Sequence, residues 1–264
     1  MSLIIFSVLS LTVISLVFGI LLCKAGEKFK VETDPRETAI RENLPGANCG
    51  ACGFAGCDAL AAATVKGEAP IGTCTVCSAE ARSKIASIMG VEDNASGPKK
   101  YAFVKCVGDC SAARTSANYY GVRTCEAAAV NGGKSGKTCQ HGCFGFGSCQ
   151  KVCPFGAILV VNGVAKVDKK KCAACGKCVA ACPQHLIDII PDTATLAVKC
   201  SSHDKGPATK AACDLGCIGC GICVKNCEEK AIKVENYAAV IDQSLCKGCG
   251  KCAEKCPRKI IRKV

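Results

Sequence analysis

Residues 172–183 read Cys-Ala-Ala-Cys-Gly-Lys-Cys-Val-Ala-Ala-Cys-Pro, with the cysteines spaced CxxCxxCxxxC. The same cysteine spacing recurs at residues 217–227 and 246–256. In such a run, three thiolates from one loop ligate a 4Fe–4S cluster and the fourth cysteine reaches a second cluster. The motif therefore predicts pairs of neighbouring iron–sulfur clusters.

An internal repeat of 74 residues organises the C-terminal half of the chain. Eight cysteines recur at this constant offset: Cys139, Cys143, Cys149, Cys153, Cys172, Cys175, Cys178 and Cys182 correspond to Cys213, Cys217, Cys223, Cys227, Cys246, Cys249, Cys252 and Cys256. Each copy also contains a pair of short strand-like runs, and Asn162-Gly163 is a type I′ hairpin signal. We predict two tandem ferredoxin-like units of the bacterial two-cluster type, at residues 139–190 and 213–264.

The crosswise arrangement of such units predicts three complete ligand sets, each with three cysteines from one loop and a fourth from the other loop of the unit. The sets are Cys153 with Cys172, Cys175 and Cys178, then Cys256 with Cys217, Cys220 and Cys223, and Cys227 with Cys246, Cys249 and Cys252.

A fourth set is one thiolate short, because Phe146 stands where the repeat has Cys220. Cys139 is the nearest replacement, and short loops close at lower entropic cost than long ones. We therefore predict a set of Cys139, Cys143, Cys149 and Cys182. The alternatives are that this site is empty or is ligated by Cys106, Cys110 or Cys125. Those three cysteines, with Cys200 and Cys213, could also hold a sixth cluster.

A different cysteine pattern lies within residues 31–91. Cys49, Cys52 and Cys57 lie in a glycine-rich loop, and Cys74 follows after a predicted helix, Ala59 to Val65, that Asp58 caps. The glycines let the backbone curl around a metal centre and direct amides at its sulfurs. Zinc also accepts four thiolates, although paired CxxC motifs suit it better. We predict another 4Fe–4S cluster on these ligands, with Cys77 as an alternative to Cys74.

The composition agrees with small metal-centred modules. The chain has 264 residues, 27 cysteines, no tryptophan and a formal net charge of +12. Its apolar content without cysteine is too low for one large core. Five clusters, each on four thiolates, would reduce the net charge to roughly +2, so the basic residues compensate for clusters and do not indicate a nucleic-acid partner.

The N-terminus carries a continuous apolar stretch, Leu3 to Cys23, long enough to cross a bilayer as a helix. No basic side chain precedes it, which disfavours a cleaved signal peptide. Lysines follow it at once, so the positive-inside rule places the rest of the chain in the cytoplasm, where thiols stay reduced. We predict a single-pass anchor at residues 1–23 in the cytoplasmic (inner) membrane.

The predicted fold class is α+β. It comprises a single N-terminal transmembrane helix, a small helical 4Fe–4S domain, a cysteine-containing linker at residues 92–138 and the two ferredoxin-like units. Residues 132–138 resemble a phosphate loop, but Asn131 replaces its first glycine, and no GxGxxG motif opens a helix. We therefore expect no NAD or flavin site and no catalytic residue. The three histidines, at positions 141, 185 and 203, are scattered in the sequence.

The order of these modules resembles that of one known family. An apolar helix, the segment Leu44-Pro-Gly-Ala-Asn-Cys-Gly-Ala-Cys-Gly-Phe-Ala-Gly-Cys57 and ferredoxin repeats are together similar to the B subunit of Rnf complexes. The resemblance covers essentially the whole chain. It implies a membrane complex that couples electron flow between reduced ferredoxin and NAD+ to export of sodium ions or protons. This subunit would take electrons from soluble ferredoxin and pass them towards subunits that carry flavin and NAD.

Two features depart from many relatives: the second ferredoxin unit and the cysteine-rich segment 106–138. They leave the electron route open. The alternative functions are a membrane-anchored polyferredoxin that serves a hydrogenase or another reductase, and a thiolate-rich structural or zinc-storage protein. Copurification with membrane flavoproteins distinguishes the first function from the second.

Overall fold

The computed structural model describes residues 2–28, 34–91, 98–131 and 135–264. The helices are α1 Ser2–Lys28, α2 Pro35–Asn43, α3 Cys57–Val65, α4 Ala79–Met89, α5 Cys125–Val130, α6 Ser148–Lys151, α7 Lys177–Ala180, α8 Gly206–Ala212, α9 Ile222–Lys225 and α10 Lys251–Glu254. The strands are β1 Lys100–Val104, β2 Ile158–Val161, β3 Val164–Val167, β4 Ile187–Pro191, β5 Leu196–Val198, β6 Ile232–Glu235, β7 Ala238–Ile241 and β8 Ile261–Lys263.

Helix α1 extends for 27 residues and exposes apolar side chains, among them Phe6 at 79% and Leu22 at 71%. Over the residues that the structure describes, no helix has both the length and the hydropathy required to cross a membrane. The predicted transmembrane anchor at residues 1–23 is therefore not supported by the structure.

Helices α2, α3 and α4 form a small module around buried Ile40, Leu60 and Ile85. The predicted helix from Ala59 begins two residues earlier, at Cys57, and Asp58 does not cap it. The side chain of Asn48 accepts the Cys57 N–H at 2.8 Å and so satisfies a free amide at the helix start.

Each ferredoxin-like unit contains a central antiparallel hairpin, β2 with β3 in the first and β6 with β7 in the second. The predicted Asn162-Gly163 turn is confirmed, because Val161 pairs with Val164 and both turn residues have positive φ angles. The matching turn of the second unit places Asn236 and Tyr237 at positive φ.

A second pair of strands completes each unit, so that each unit begins earlier in the chain than the sequence predicts. Strand β1, which lies in the predicted linker, pairs with β4, and β5 pairs with β8. Each unit thus includes an outer strand that precedes its first cysteine. Periodicity in the cysteines alone does not show this strand, because its partner lies at the far end of the unit.

Cysteines form a large part of both ferredoxin cores. The first core combines Ile158 and Ile187 with Cys149, Cys172 and Cys178. The second combines Leu196, Ile232 and Ile260 with Cys217, Cys223, Cys252 and Cys256. Because cysteines share both cores with the aliphatic side chains, the stability of each unit depends in part on what these cysteines bind.

Gly219 and Gly221 offer a matched test of loop geometry. Both have positive φ angles, but a Cβ on Gly219 would lie 2.8 Å from the Tyr237 carbonyl oxygen, whereas a Cβ on Gly221 would meet no atom within 4 Å. Gly221→Ala should cost about 1 kcal/mol of stability from backbone strain, and Gly219→Ala about 1–3 kcal/mol more from overlap. Thermal unfolding of the anaerobic holoprotein should give a lower Tm for Gly219→Ala, and equal Tm values would contradict the hairpin contact.

Candidate iron–sulfur sites

All 27 cysteines of the chain are free thiols in the structure. Most of them form groups of four, which we name sets I to V and the interunit set. Set I comprises Cys49, Cys52, Cys57 and Cys74, which line a cavity of about 300 Å³. Cys77 does not line this cavity. A hydrogen bond from the Cys77 side chain lowers the pKa of Cys74 to about 6, so Cys77 contacts a member of the set and does not replace it.

Sets III and IV contain the cysteines predicted from crosswise pairing. Set III comprises Cys153, Cys172, Cys175 and Cys178 around a cavity of about 340 Å³. Set IV comprises Cys217, Cys220, Cys223 and Cys256 around a cavity of about 360 Å³. Burial raises the pKa of Cys178 to about 11, and the neighbouring thiols of Cys172 and Cys175 contribute to this rise.

Set V comprises Cys227, Cys246, Cys249 and Cys252. Burial raises the pKa of Cys252, and the other three thiols of this set add to the shift. The four thiols therefore lie within electrostatic reach of one another, as the sequence predicts.

In set II the structure places Cys125, one of the alternatives left open by the sequence, where Cys139 was predicted. A cavity of about 390 Å³ is lined by Cys125, Cys143, Cys149 and Cys182, and not by Cys139. Burial raises the pKa of Cys149 to about 12, followed by the effects of Cys143 and Cys125. Cys125 thus occupies the place that the sequence analysis gave to Cys139.

A longer first repeat explains how Cys125 reaches set II. Cys139 follows Cys106 by 33 residues, whereas Cys213 follows Cys200 by only 13, so the first repeat has 20 additional residues. These residues include α5, which begins at Cys125. The Cys125 N–H donates to Ser148 Oγ at 3.0 Å, which fixes this helix beside the loop of set II.

Phe146 also contacts the additional residues. Its ring lies 5.0 Å from that of Tyr119, measured between centroids. The residue that replaces a ligand in the first loop therefore packs against the segment that supplies the substitute. A comparison of the two repeat lengths is the sequence signal that could have indicated Cys125.

Cys139 instead belongs to the interunit set. Cys106, Cys139, Cys200 and Cys213 line a cavity of about 420 Å³ where the two ferredoxin-like units meet. Cys110 is exposed and lines none of the cavities described above. Cys23 lies on α1, away from these sets.

The cavities suit a group larger than one ion. Among the described residues, no three His, Cys, Asp or Glu side chains converge closely enough to hold a single metal ion. A single zinc ion would draw its thiolates to about 2.3 Å. The thiols here stand in groups of four around a shared cavity, an arrangement suited to a cubane of four irons.

Two other sequence features have structural roles. Gly132, Gly133 and Lys134 of the phosphate-like segment lie outside the described residues. Lys137, in the same segment, is buried and its Nζ donates to three backbone carbonyls at 2.7–3.0 Å. His141 and His203, which are distant in the sequence, have their rings in edge contact at 5.0 Å.

The fold and its cysteine sets define an iron–sulfur protein built from 4Fe–4S modules. Three family models match it: an Fe-S cluster family at residues 44–76, the LdpA Fe-S cluster-binding domain at 149–193 and the 4Fe-4S dicluster domain at 216–260. These matches cover set I and both ferredoxin-like units, which confirms the predicted class of cofactor.

Three relatives match most of the chain, and each is the B subunit of a translocating complex. That of the Na+-translocating ferredoxin:NAD+ oxidoreductase complex of Acetobacterium woodii is 45% identical over 90% of this chain and 71% of its own length. That of the ion-translocating oxidoreductase complex of Methanosarcina acetivorans is 40% identical, over 86% of both chains. That of the proton-translocating ferredoxin:NAD+ oxidoreductase complex of Clostridium ljungdahlii is 40% identical, over 89% and 83%. The chain belongs to this family of B subunits, which confirms the resemblance to Rnf.

Replacing Cys125 tests the corrected ligand set. Cys125→Ala should remove a ligand of set II and lower the iron content by up to about four atoms per chain. Cys110→Ala is the matched control, because Cys110 also lies between Cys106 and Cys139 but lines no cavity, and its iron content should equal that of the wild type. Iron and acid-labile sulfide assays on the anaerobic protein measure both. Unchanged iron in Cys125→Ala would contradict the assignment.

Proposed function

We propose that this chain is the electron-transfer subunit of an ion-translocating ferredoxin:NAD+ oxidoreductase. It accepts single electrons from soluble ferredoxin and passes them through 4Fe–4S clusters towards partner subunits that hold flavin and NAD. Coupled export of sodium ions or protons is then a property of the whole complex. The observation that carries this proposal is that the four-cysteine sets adjoin one another.

Two thiol contacts support a continuous route through the first half. Burial raises the pKa of Cys175 in set III, and the thiol of Cys49 in set I adds to the rise, so these two thiols lie within electrostatic reach. The thiol of Cys178 in set III likewise contributes to the raised pKa of Cys149 in set II. Clusters held at these sites would be neighbours along a route for electrons, and their surroundings would set the potentials.

We propose clusters on sets I to V, five in all, with Cys125 in place of Cys139. The thiolates are the iron ligands, and the bound clusters supply one-electron redox chemistry. The chain's backbone amides donate to ligand sulfurs, as Ala102 N–H does to Cys172 Sγ at 3.3 Å. Such hydrogen bonds stabilise the charge on the sulfurs and tune each cluster.

The first ferredoxin-like unit offers the more basic surface to a partner. Between Cys149 and Cys182 the chain has six lysines and one aspartate, whereas between Cys223 and Cys256 it has six lysines and five acidic residues. Lys170, Lys171 and Lys177 are exposed. We propose that an acidic ferredoxin docks on this face, where opposite charge speeds encounter.

Charge reversal at equivalent repeat positions tests the docking face. Lys177→Glu should slow the reduction of the clusters by ferredoxin at low salt. Lys251→Glu is the matched control, since Lys251 occupies the same repeat position but pairs with Glu228, and its effect should be smaller. Stopped-flow bleaching measures both rates, and the difference should shrink at about 1 M salt, where the Debye length is about 3 Å. A rate independent of salt, or equal effects of both variants, would contradict docking on the first unit.

We also propose that the chain works at the cytoplasmic side of the membrane and that α1 holds it there. The support is the exposed apolar surface of this helix, including Leu11, Leu16 and Phe18, which water solvates poorly. Lipid or apolar helices of partner subunits would cover that surface. The cysteines of sets I to V lie outside α1.

Deleting residues 2–28 separates attachment from cluster binding. We expect the shortened chain to be released from membranes washed in neutral buffer and to keep its iron and its visible spectrum, while membrane-linked NAD+ reduction is lost. Fractionation, with iron measured in both fractions, tests this. If the shortened chain stayed with the membranes, α1 would not be the attachment. If it lost its iron, α1 would be part of the cluster fold.

A further inference from the structure

The interunit set has internal symmetry. Cys106 follows the end of β1 by two residues, and Cys200 follows the end of β5 by two residues. Strands β1 and β5 are equivalent because their last residues pair with equivalent positions of the repeat. Val104 pairs with Ile187 and Val198 pairs with Ile261, and Ile187 and Ile261 are 74 positions apart. Cys139 and Cys213 are also separated by 74. Each unit therefore contributes the same two positions to one site.

Equivalent hydrogen bonds connect this set to the units on either side. The N–H of Cys143, a member of set II, donates to Cys106 Sγ at 3.5 Å. The N–H of Cys217, a member of set IV, donates to Cys200 Sγ at 3.3 Å. Amides that donate to cysteine sulfur are typical of ligand sulfurs in iron–sulfur proteins.

The cavity between these thiols is kept open by glycine. A Cβ on Gly108 would lie 3.3 Å from Cys213 Sγ and 3.8 Å from Cys106 Sγ. A Cβ on Gly142 would lie 3.3 Å from Cys139 Sγ. Side chains at either position would therefore crowd the sulfurs and take space from a bound group.

The lining is also suited to an anionic group. Lys137 and Lys199 line the same cavity, as does Lys105, whose Nζ pairs with Asp188 at 2.9 Å. Lysine charges offset the net negative charge that a cubane on four thiolates carries.

We infer that Cys106, Cys139, Cys200 and Cys213 bind a sixth 4Fe–4S cluster, which connects set II of the first ferredoxin-like unit to set IV of the second. The inference rests on the proposed function, since it assumes clusters in the neighbouring sets. One electron passes from a reduced cluster on one side to this cluster and then to the oxidised cluster on the other. No bond or proton changes in either step.

A double variant tests the shared site. Cys139→Ala/Cys213→Ala takes one ligand from each unit, so it should lower iron from about 24 to about 20 atoms per chain, with equal loss of sulfide. Adding Cys106→Ala and Cys200→Ala to this double variant should remove no further iron. Cys23→Ala/Cys110→Ala, a control outside all sets, should keep about 24. Loss of about eight atoms in the first double variant, or of none, would overturn the shared site.

A spectroscopic measurement tests the bridging position. In the fully reduced wild type, magnetic coupling between neighbouring clusters should broaden the EPR signals. In Cys139→Ala/Cys213→Ala the coupling across the unit boundary should be lost, while coupling within each unit remains. Unchanged coupling would show that this site does not lie between the units.

The wild-type protein provides a test that does not depend on folding of a variant. About 24 irons per chain by Mössbauer and chemical analysis supports six clusters, and about 20 with all other sets filled overturns the sixth. A chain with no iron–sulfur spectrum at all would instead contradict the proposed function. These outcomes separate failure of the inference from failure of its premise.

Discussion

Groups of four buried thiols lie in or beside the cores of this structure, and they can become thiolates only when a shared cation offsets their charge. In sets II, III and IV, burial raises the pKa of one cysteine to about 11 or 12, and its neighbours add to the effect. Iron removes this penalty because it binds the thiolate form. The cysteines occupy core positions that aliphatic side chains would fill in an ordinary domain, so metal binding and folding are coupled.

The repeat explains both the regular and the irregular features of the C-terminal half. Two copies of a unit preserve their hairpins, their last strands and most of their ligands at an offset of 74 residues, whereas the ends of β1 and β5, which precede the 20 additional residues, are 94 residues apart. Where the first copy has Phe146 in place of a ligand, 20 additional residues supply Cys125 from outside the loop. Set II thus still has four thiols, although one of them comes from a different part of the sequence. A cubane requires four donors but does not require them to be close along the chain.

Local spacing predicts those sites whose ligands lie on one or two short loops. Sets I, III, IV and V follow from such spacing, as does the Asn162-Gly163 turn. The structure favours Cys125 over Cys139 in set II, and loop-closure entropy does not indicate this because it applies to an unrestrained chain. Here β1 is already paired with β4, and α5 is fixed to Ser148, so longer connections have little remaining cost. The prediction that Asp58 caps α3 is wrong for a similar reason. The side chain of Asn48, which lies outside the helix, accepts the N–H of Cys57 at the helix start.

The location of the interunit set follows from the way the outer strands end. Strands β1 and β5 each pair with the last strand of their own unit, so the residues just beyond them, Cys106 and Cys200, are carried to the boundary where the units meet. Cys139 and Cys213 reach the same boundary by lying just before the first cysteine loop of each unit, four residues before Cys143 and Cys217. A tandem duplication of a unit with two unused thiols at its edge therefore creates a four-thiol site without any new residue. A carrier bound at this boundary would connect the duplicated units, and the four thiols that could hold it are equivalent positions of the repeat.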